Sequence, residues 1–172
     1  MIRIAVIGLG YWGPNLVRNF HAVAGENLRI CCDRDAARAR AIARTYPTIE
    51  VVTDPEAVFG NPEIDAVAIA TPVGTHFQLA KAALNAGKSV LVEKPLAATT
   101  WQAEELVKLA KQTKRVLMVD HVFVYSPAVR KIKALIDAGE LGQLHFIDSV
   151  RINLGLFQHD VNVIWDLAPH DL

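Results

Sequence analysis

The sequence predicts an α/β protein built on a doubly wound parallel sheet. The first observation is that short apolar runs alternate with helical segments over residues 1–121. The second is that these runs are mostly apolar, with one arginine in the first, as strands are when helices cover both faces of a sheet. The third is a glycine-rich turn, Gly8 to Gly13, between the first run and the first helix. Together they indicate right-handed β–α–β crossovers.

The strands are predicted where valine, isoleucine, leucine and alanine cluster without helical spacing. The second run holds two adjacent cysteines, Cys31 and Cys32, which cannot easily form a disulfide with each other. Because free cysteine is among the residues most often buried, we expect two structural thiols there. The predicted strands are Ile2–Ile7, Leu28–Cys32, Val51–Val52, Ile64–Ala70, Ser89–Val92 and Arg115–Val119.

The helices between these strands are indicated by capping residues and helix breakers. Pro14 lies in the first turn of the first helix, where a backbone N–H would have no acceptor within the helix, so its absence costs little. Asp54 precedes a proline and an acid, the pattern of a helix N-terminus, and Gly87 marks a C-terminus. Either Thr99 or Thr100 is predicted to cap the helix after the fifth strand. The predicted helices are Tyr11–Ala24, Asp35–Thr45, a short one from Asp54, Thr75–Ala86 and Thr100–Thr113.

The alternation of strand and helix stops after the sixth strand. An amphipathic helix is predicted over Pro127–Ala138, a longer strand over Leu144–Asn153, and a further helix over Trp165–Leu172. These elements do not continue the β–α–β pattern. We therefore predict one domain over residues 1–121 and the start of a second α/β domain over residues 122–172.

The composition is that of an ordinary globular protein, with 52% hydrophobic and 21% charged residues. The chain has 18 lysine and arginine residues and 18 aspartate and glutamate residues, so the charges cancel. The sequence has no cluster of basic residues of the kind that binds nucleic acid. No apolar run reaches the roughly 20 residues that span a bilayer. The N-terminal run lacks the small-residue cleavage site of a signal peptide. We expect a cytoplasmic protein with no nucleic-acid or membrane partner.

The segment Gly8-Leu-Gly10-Tyr11-Trp12-Gly13 matches the pattern G-x-G-x-x-G. Alone, this pattern matches many turns by chance, but here it follows a strand and opens a helix, the context in which it binds dinucleotides. Gly8 would allow the tight turn, Gly10 the close approach of a pyrophosphate, and Gly13 close packing of helix on strand. These residues, with Tyr11 and Trp12, are predicted to bind cofactor phosphates at the helix N-terminus. The sheet is therefore predicted to be of Rossmann type.

An acid follows the second strand. Asp33 lies 20 residues after Gly13, where a carboxylate binds the adenosine ribose hydroxyls. Its charge would repel a 2′-phosphate and favours NAD over NADP, whereas the neighbouring Arg34 can accommodate that phosphate. FAD and S-adenosylmethionine stay open as competing ligands of such a fold. A purely structural alternative is that Asp33 caps the following helix.

Two further groups of polar residues follow predicted strands. Thr71-Pro72 follows the fourth strand, with His76 just beyond, and Glu93-Lys94-Pro95 follows the fifth. Ligands of open parallel sheets bind outside the carboxyl ends of the strands, so both groups are predicted to lie near the cofactor. The structural alternatives are a turn with a surface histidine in the first case and an exposed lysine before a loop in the second. Spacing alone leaves these alternatives open.

In their order and combination, these motifs resemble the Gfo/Idh/MocA family of nicotinamide-dependent oxidoreductases, which includes glucose–fructose oxidoreductase and inositol dehydrogenase. The last matching segment is Asp166-Leu-Ala168-Pro-His170. It is similar to the family's D-x-G-x-H element, with Ala168 where glycine is frequent, and it keeps the aspartate and the histidine in register. The other matching residues are the glycine-rich turn, Asp33, Ala70-Thr71-Pro72 with His76, and Glu93-Lys94-Pro95.

The resemblance implies specific roles for three residues. Lys94 would be the catalytic lysine beside the nicotinamide and the substrate hydroxyl, and in the family the peptide bond before Pro95 is often cis. His170 would take the hydroxyl proton as hydride leaves the same carbon, which suits an imidazole at neutral pH. Asp166 would bind or orient the substrate near His170. A lysine cation stabilises a developing alkoxide, and because hydride passes to the cofactor, no metal is required.

The substrate class that the resemblance implies is a sugar, a polyol or a nucleotide sugar. Some polar residues from position 121 onward are weaker candidates for the substrate-binding face, and structural roles explain them equally well. They are His121, Tyr125, Arg151 and Asn153, with His159 and Asp160 as further alternatives.

Members of this family have a complete second α/β domain that covers the active site and often forms the oligomer interface. Residues 122–172 correspond only to its beginning. We therefore expect this chain to bind NAD with weak or no turnover, and the full-length protein to be a homo-oligomer. Two alternatives stay open: a non-catalytic NAD-binding regulatory protein of the same fold, and a reductase of another substrate class, such as biliverdin or an imine.

Overall fold

The computed structural model describes residues 2–151 and 161–170 of the chain. The chain divides into two compact units, Met1–Val119 and Asp120–Leu172. Among the described residues, the first unit contains all the strands, and the second contains short helices and 3₁₀ turns. The glycine-rich turn and Lys94 therefore lie in the first unit, whereas Asp166 and His170 lie in the second.

The first unit is built on six strands. They are β1 (Ile4–Ile7), β2 (Leu28–Cys32), β3 (Glu50–Val52), β4 (Ala66–Ile69), β5 (Ser89–Val92) and β6 (Leu117–Val119). All neighbours pair in parallel, in the order β3-β2-β1-β4-β5-β6. The doubly wound parallel sheet predicted from the sequence is thus confirmed. Because the strand order reverses direction between β1 and β4, the carboxyl ends of these two strands flank the crevice where such folds bind ligands.

The start of β1 is fixed by a pair of charged residues. The backbone N–H of Arg3 donates to a carboxylate oxygen of Asp65 over 2.8 Å, and its Nε donates to the same oxygen over 3.2 Å. The hydrogen bond from the Arg3 side chain lowers the pKa of the Asp65 carboxyl below its ordinary value. Since this backbone N–H bonds to a side chain rather than to a neighbouring strand, β1 begins at Ile4 and not at the predicted Ile2.

Helices connect the strands of the first unit. They are α1 (Gly13–Ala24), α2 (Ala36–Thr45), α3 (Pro55–Phe59), α4 (Val73–Asn85) and α5 (Thr100–Thr113). Asp35, Asp54 and Thr99 each accept hydrogen bonds from backbone N–H groups two or three residues later, which fixes where their helices begin. Of the two threonines that the sequence left open as the cap of α5, Thr99 is the one that serves. The helix at Asp54 is also confirmed.

Apolar side chains fill the space on both faces of the sheet. Val6 and Cys31 belong to one buried cluster, whereas Ile7 and Cys32 belong to another. Successive strand residues point to opposite faces, which places the adjacent cysteines in different layers. Burial raises the pKa of the Cys31 thiol to about 12 and that of Cys32 to about 11. The prediction of two buried free thiols is confirmed.

A buried lysine anchors the loop before β4. Lys88 precedes β5 and is only 6% exposed. Its ammonium donates to the carbonyl oxygens of Asn61 over 2.6 Å and of Ile64 over 2.8 Å. Burial lowers the pKa of this lysine, with the charge of Asp65 opposing that effect. The ammonium group of Lys88 therefore donates hydrogen bonds to two backbone carbonyl groups that accept none from the strands of the sheet.

Replacing this lysine should destabilise the fold. We expect Lys88→Met to lower the free energy of unfolding by about 1–3 kcal/mol, because the Ile64 carbonyl group loses its ammonium donor and the Asn61 carbonyl group keeps only the N–H of Ile64, while the apolar stem is kept. Urea denaturation followed by circular dichroism measures the change. Lys108→Met is the matched control, since Lys108 is an exposed lysine on α5 with 66% of its side chain accessible. Equal stabilities for the two variants would contradict this assignment.

The second unit consists of short helical elements. A 3₁₀ turn, Val122–Tyr125, precedes α6 (Pro127–Asp137), and α7 (Val163–Leu167) continues into a second 3₁₀ turn, Ala168–His170. The amphipathic helix predicted over Pro127–Ala138 is thus confirmed. The predicted last helix begins slightly earlier than expected because the Asn162 side chain caps it, accepting from the N–H of Trp165 over 2.9 Å.

The strand predicted over Leu144–Asn153 is wrong in the part that the structure describes. Residues 144–151 have no regular secondary structure, and residues 152–153 lie outside the described ranges. Phe146 and Ile147 are 84% and 79% exposed. A strand needs a neighbouring strand for its backbone hydrogen bonds, and no described residue of this unit forms one. The apolar pattern alone was not enough to form a strand.

Candidate cofactor-binding site

The candidate site lies where the loops after β1, β2, β4 and β5 leave the same edge of the sheet. In a parallel sheet all carboxyl ends lie on one side. β1 is hydrogen-bonded to β2 and to β4, and β4 is hydrogen-bonded to β5. The topology therefore brings together the glycine-rich turn, Asp33, Thr71 and Lys94, all of which the sequence analysis singled out.

Two glycines of the turn are required by the protein's own backbone. Gly8 has φ +95°, and a Cβ placed on it would lie 2.6 Å from the carbonyl carbon of Ala70. A Cβ on Gly13 would overlap the carbonyl oxygen of Gly8. The turn after β1 is therefore closely packed against the end of β4 on one side and the start of α1 on the other. Neither position accepts a side chain without moving backbone.

Gly10 has a different environment. The nearest described atom to a Cβ built there, apart from its chain neighbours, is Nη1 of Arg38 at 3.5 Å. Internal packing therefore gives no reason for a glycine here, whereas the close approach of a ligand would. Among the described residues, α1 has no side-chain cap and no acid in its first turn, so the partial positive charge of its N-terminus is available to an anion. Tyr11 and Trp12 are 77% and 41% exposed.

Asp33 is hydrogen-bonded to the glycine-rich turn. One carboxylate oxygen accepts from the backbone N–H of Leu9 over 2.7 Å, and the other accepts from the N–H of Asp35 over 2.8 Å. The side chain is 11% exposed. The alternative that Asp33 caps the next helix is wrong, because Asp35 is the residue that caps α2. Asp33 instead joins the end of β2 to the turn after β1.

The sequence analysis missed Arg38. Its guanidinium lies 3.9 Å from the Asp33 carboxylate and 3.5 Å from that of Asp35, on the first turn of α2. The sequence could have indicated Arg38, because it lies three positions after the helix cap Asp35. A residue at that position is on the first turn of the helix and near the same edge of the sheet. Arg34, which was predicted, is exposed. The end of β2 therefore combines two acids with two arginines.

His76 is part of the protein interior. It is 1% exposed, so the alternative of a surface histidine is wrong. Its Nδ1 lies 2.9 Å from the carbonyl oxygen of Pro95, and its Nε2 lies 2.7 Å from that of Thr71. Both ring nitrogens thus face backbone carbonyl groups, which favours a role in positioning the site over direct contact with a cofactor. Pro72 is the N-cap residue of α4.

Glu93, Lys94 and Pro95 follow β5 directly. Pro95 is buried, and the other two residues are half-buried, so the alternative of an exposed lysine is wrong. The Lys94–Pro95 peptide bond is cis, in agreement with what the family resemblance implies. The N–H of Glu93 donates to the carbonyl of Ile69 over 2.9 Å. This bond holds the start of the lysine turn beside the end of β4.

In the second unit, a phenyl ring connects two of the predicted residues. The ring centre of Phe123 lies 5.0 Å from that of His170 and 4.8 Å from the guanidinium carbon of Arg151. Asp166 lies on α7, one turn before His170 in the following 3₁₀ turn. Phe123 was not predicted from the sequence, since a single phenylalanine in a short 3₁₀ turn carries no pattern of its own.

The remaining weak candidates are less informative. The Tyr125 ring lies 5.4 Å from the Arg130 guanidinium, and Tyr125 is 56% exposed. His121 is half-buried just before the first 3₁₀ turn of the second unit. Asn153, like the alternatives His159 and Asp160, lies outside the described residues.

Within residues 2–151 and 161–170 there is neither a metal-binding cluster nor a helix that could span a membrane. No cluster of three or more histidine, cysteine, aspartate or glutamate side chains in these ranges can hold a metal ion. No helix in these ranges combines the length and apolar character needed to cross a membrane.

Curated relatives extend along the whole chain. An oxidoreductase of Escherichia coli, YdgJ, is 37% identical and covers 98% of this chain but 51% of its own length. Inositol 2-dehydrogenase of Mycolicibacterium smegmatis is 36% identical over 83% of the chain and 42% of its own length. UDP-N-acetylglucosamine 3-dehydrogenase of Acidithiobacillus ferrooxidans is 31% identical, covering 99% and 52%. The chain thus spans about half the length of these relatives.

Solved structures show the same fold. The oxidoreductase YvaA of Bacillus subtilis superposes with a TM-score of 0.86 at 26% identity, covering 99% of this chain and 50% of its own. The 3-ketoreductase KijD10 of Actinomadura kijaniata, solved with TDP-benzene and NADP, gives a TM-score of 0.74 at 29% identity, covering 80% and 42%. Residues 2–121 match the oxidoreductase family GFO_IDH_MocA, described by its NAD-binding Rossmann fold. The chain therefore belongs to the Gfo/Idh/MocA family of oxidoreductases.

Proposed function

We propose that the protein is an NAD-dependent oxidoreductase that transfers hydride between the nicotinamide and a hydroxyl-bearing carbon of a sugar, a polyol or a nucleotide sugar. The observation that carries this proposal is the glycine-rich turn, whose open position at Gly10 lies beside the uncapped N-terminus of α1. That arrangement suits a pyrophosphate. The names of the relatives support the substrate class, since they include an inositol dehydrogenase and a UDP-N-acetylglucosamine dehydrogenase.

NAD is the preferred cofactor in this proposal. The Asp33 carboxylate already accepts two backbone hydrogen bonds, but an ionised carboxylate has about four acceptor sites. It can therefore accept the ribose hydroxyls as well, and its charge disfavours a 2′-phosphate. Arg34 and Arg38 oppose this preference, because arginines bind phosphate well. NADP is consequently the less favoured cofactor, although the related KijD10 was solved with it.

The bound nicotinamide would supply the site that accepts or donates hydride. Lys94, half-buried after β5, would place its ammonium group against the substrate oxygen and stabilise negative charge as it develops there. The family resemblance assigns to His170 the exchange of the hydroxyl proton and to Asp166 the orientation of the substrate. An imidazole suits that exchange near neutral pH.

Cofactor binding and turnover are separate parts of the proposal. The chain spans about half the length of its relatives, and we propose that it binds the cofactor with weak or no turnover by itself. Titration with NADH, followed by nucleotide fluorescence, tests the first part. Failure to bind at millimolar NADH would contradict the proposed function. The complete protein is proposed to form a homo-oligomer, as the resemblance implies.

A variant of Lys94 can distinguish an enzyme from a regulatory protein of the same fold. In the complete protein, we expect Lys94→Ala to reduce turnover by about 100-fold or more while the NADH dissociation constant changes by less than about threefold. myo-Inositol and UDP-N-acetylglucosamine are the first substrates to assay. Lys108→Ala is the control for loss of a lysine charge. An NADH-binding protein that turns over neither substrate, nor any other alcohol tested, would favour the regulatory alternative.

A further inference from the structure

The ring of His76 bridges two backbone turns at the candidate site. Its Nδ1 lies 2.9 Å from the Pro95 carbonyl oxygen, and its Nε2 lies 2.7 Å from the Thr71 carbonyl oxygen. Both distances are those of hydrogen bonds. The ring is 1% exposed, so bulk water does not compete for these positions.

The two carbonyl groups that His76 contacts favour a protonated ring. A carbonyl oxygen only accepts hydrogen bonds, and a neutral imidazole has one N–H donor and one nitrogen lone pair. In either neutral tautomer, a lone pair would face a carbonyl oxygen at less than 3 Å. The imidazolium form donates from both nitrogens and satisfies both contacts.

The surroundings of His76 contain effects of both signs. Burial of the His76 ring disfavours its charged form, and the dipole of α4, in whose first turn His76 lies, also opposes a cation. Hydrogen bonds from a charged donor are, however, roughly twice as strong as neutral ones, and the ring is placed to donate two of them. The ionisable side chains of the turn that it contacts are those of Glu93 and Lys94.

The bridge lies just beyond the last rung of the sheet. Ile69 pairs with Val92 in the β4–β5 register, and the N–H of Glu93 donates to the Ile69 carbonyl. After this bond the two chains separate into the turns that contain Thr71 and Lys94. The His76 ring spans that separation. Its bond to Pro95 is made to the carbonyl group of the residue directly after Lys94.

We propose that His76 is a positioning residue, held as an imidazolium, that ties the turn after β4 to the turn after β5 and thereby fixes Lys94 at the candidate site. The idea that Lys94 acts on a substrate beside the cofactor rests on the proposed function. The protonation state and the bridge rest on the His76 geometry alone. Thr75 reinforces the first turn, since its hydroxyl lies 2.7 Å from both the Thr71 hydroxyl and the Pro72 carbonyl oxygen.

Nitrogen NMR of the chain tests the protonation directly. With ¹⁵N-labelled histidine at neutral pH, we expect both ring nitrogens of His76 to show the chemical shift of a protonated N–H. His21, which lies on α1, is the internal reference, because its ring packs on that of Tyr46 rather than between two carbonyl groups. A His76 ring with one unprotonated nitrogen would overturn the imidazolium assignment.

A variant tests the effect on Lys94. The His76→Gln side chain can donate from only one nitrogen, so it cannot bridge both turns. We expect its NADH dissociation constant to stay within about threefold of the wild-type value, because the glycine-rich turn is unchanged. The NADH-induced shift of the Lys94 side-chain ¹³C signals should fall to less than about half of the wild-type shift. His21→Gln, the control, should keep the full shift.

The outcomes separate this inference from the proposed function. If the wild-type chain binds no NADH, the proposed function fails, while the ring-nitrogen spectrum still decides the protonation of His76. If NADH binds and His76→Gln keeps the full Lys94 shift, the positioning role is overturned. Should His76→Gln fail to fold, the wild-type spectrum remains decisive.

Discussion

Gly13→Ala is expected to abolish measurable NADH binding and to lower the free energy of unfolding by about 1–3 kcal/mol. The new methyl group would overlap the carbonyl oxygen of Gly8, and this obstacle is backbone rather than a flexible side chain. Gly8 cannot simply move aside, because its N–H donates to the Cys32 carbonyl over 2.8 Å and its backbone lies close to the Ala70 carbonyl group. The turn must open, and its N–H groups then no longer converge on a phosphate.

The matched control for this prediction is Gly74→Ala. Gly74 also lies in the first turn of a helix, α4, but no described atom lies within 4 Å of a Cβ built there. We expect this variant to bind NADH normally and to gain up to about 1 kcal/mol of stability from the helix preference of alanine. Urea denaturation and NADH fluorescence measure both variants. Normal NADH binding by Gly13→Ala would show that the turn is not the phosphate site.

Asp33→Asn is expected to weaken NADH binding by about tenfold or more, equivalent to about 1.4 kcal/mol, and to narrow the preference for NADH over NADPH. The substitution keeps the shape of the side chain but removes its charge and one of its two accepting oxygens. The backbone N–H of Leu9 or of Asp35 then loses its partner. The 2′-phosphate of NADPH would meet Arg34 and Arg38 without the opposing carboxylate.

Asp35→Asn is the control for charge at this site. It removes an equal charge two residues away, and asparagine serves as well as aspartate at the N-cap of α2. We expect it to leave the ratio of NADH to NADPH affinity close to that of the wild type. Dissociation constants for both nucleotides, measured at one ionic strength, give the comparison. If the ratio is the same in Asp33→Asn as in the wild type, Asp33 does not bind the ribose.

Local patterns were sufficient to predict most of the first unit. β1, β2 and β5 were predicted from their continuous apolar runs, and the start of α3 from Asp54, because these signals lie within the segments that they specify. The same holds for the backbone need for glycine at Gly8, where a turn with positive φ follows a strand. The position of Lys94 directly after β5 could also be predicted from the sequence. The parallel pairing of β5 with β4 then places that strand end beside the end of β4.

The features that the sequence did not predict depend on contacts between distant segments. The burial of His76 requires Pro95, which is 19 residues further along the chain. The link between Asp33 and the glycine-rich turn spans 24 residues. The predicted strand over Leu144–Asn153 shows the converse case, since the apolar alternation is present but no described residue provides a neighbouring strand. A pattern within one segment carries no information about such partners.

The two adjacent cysteines have a practical consequence. Each thiol is buried in a different layer, with a pKa raised to about 12 for Cys31 and about 11 for Cys32. Only a thiolate attacks disulfide reagents and alkylating agents, so in the native chain both residues are protected twice, by packing and by protonation. They become reactive when the sheet opens. The reaction of these thiols with a dye therefore reports unfolding of the chain. The rate of that reaction can rank variants by how readily they unfold, without any added label.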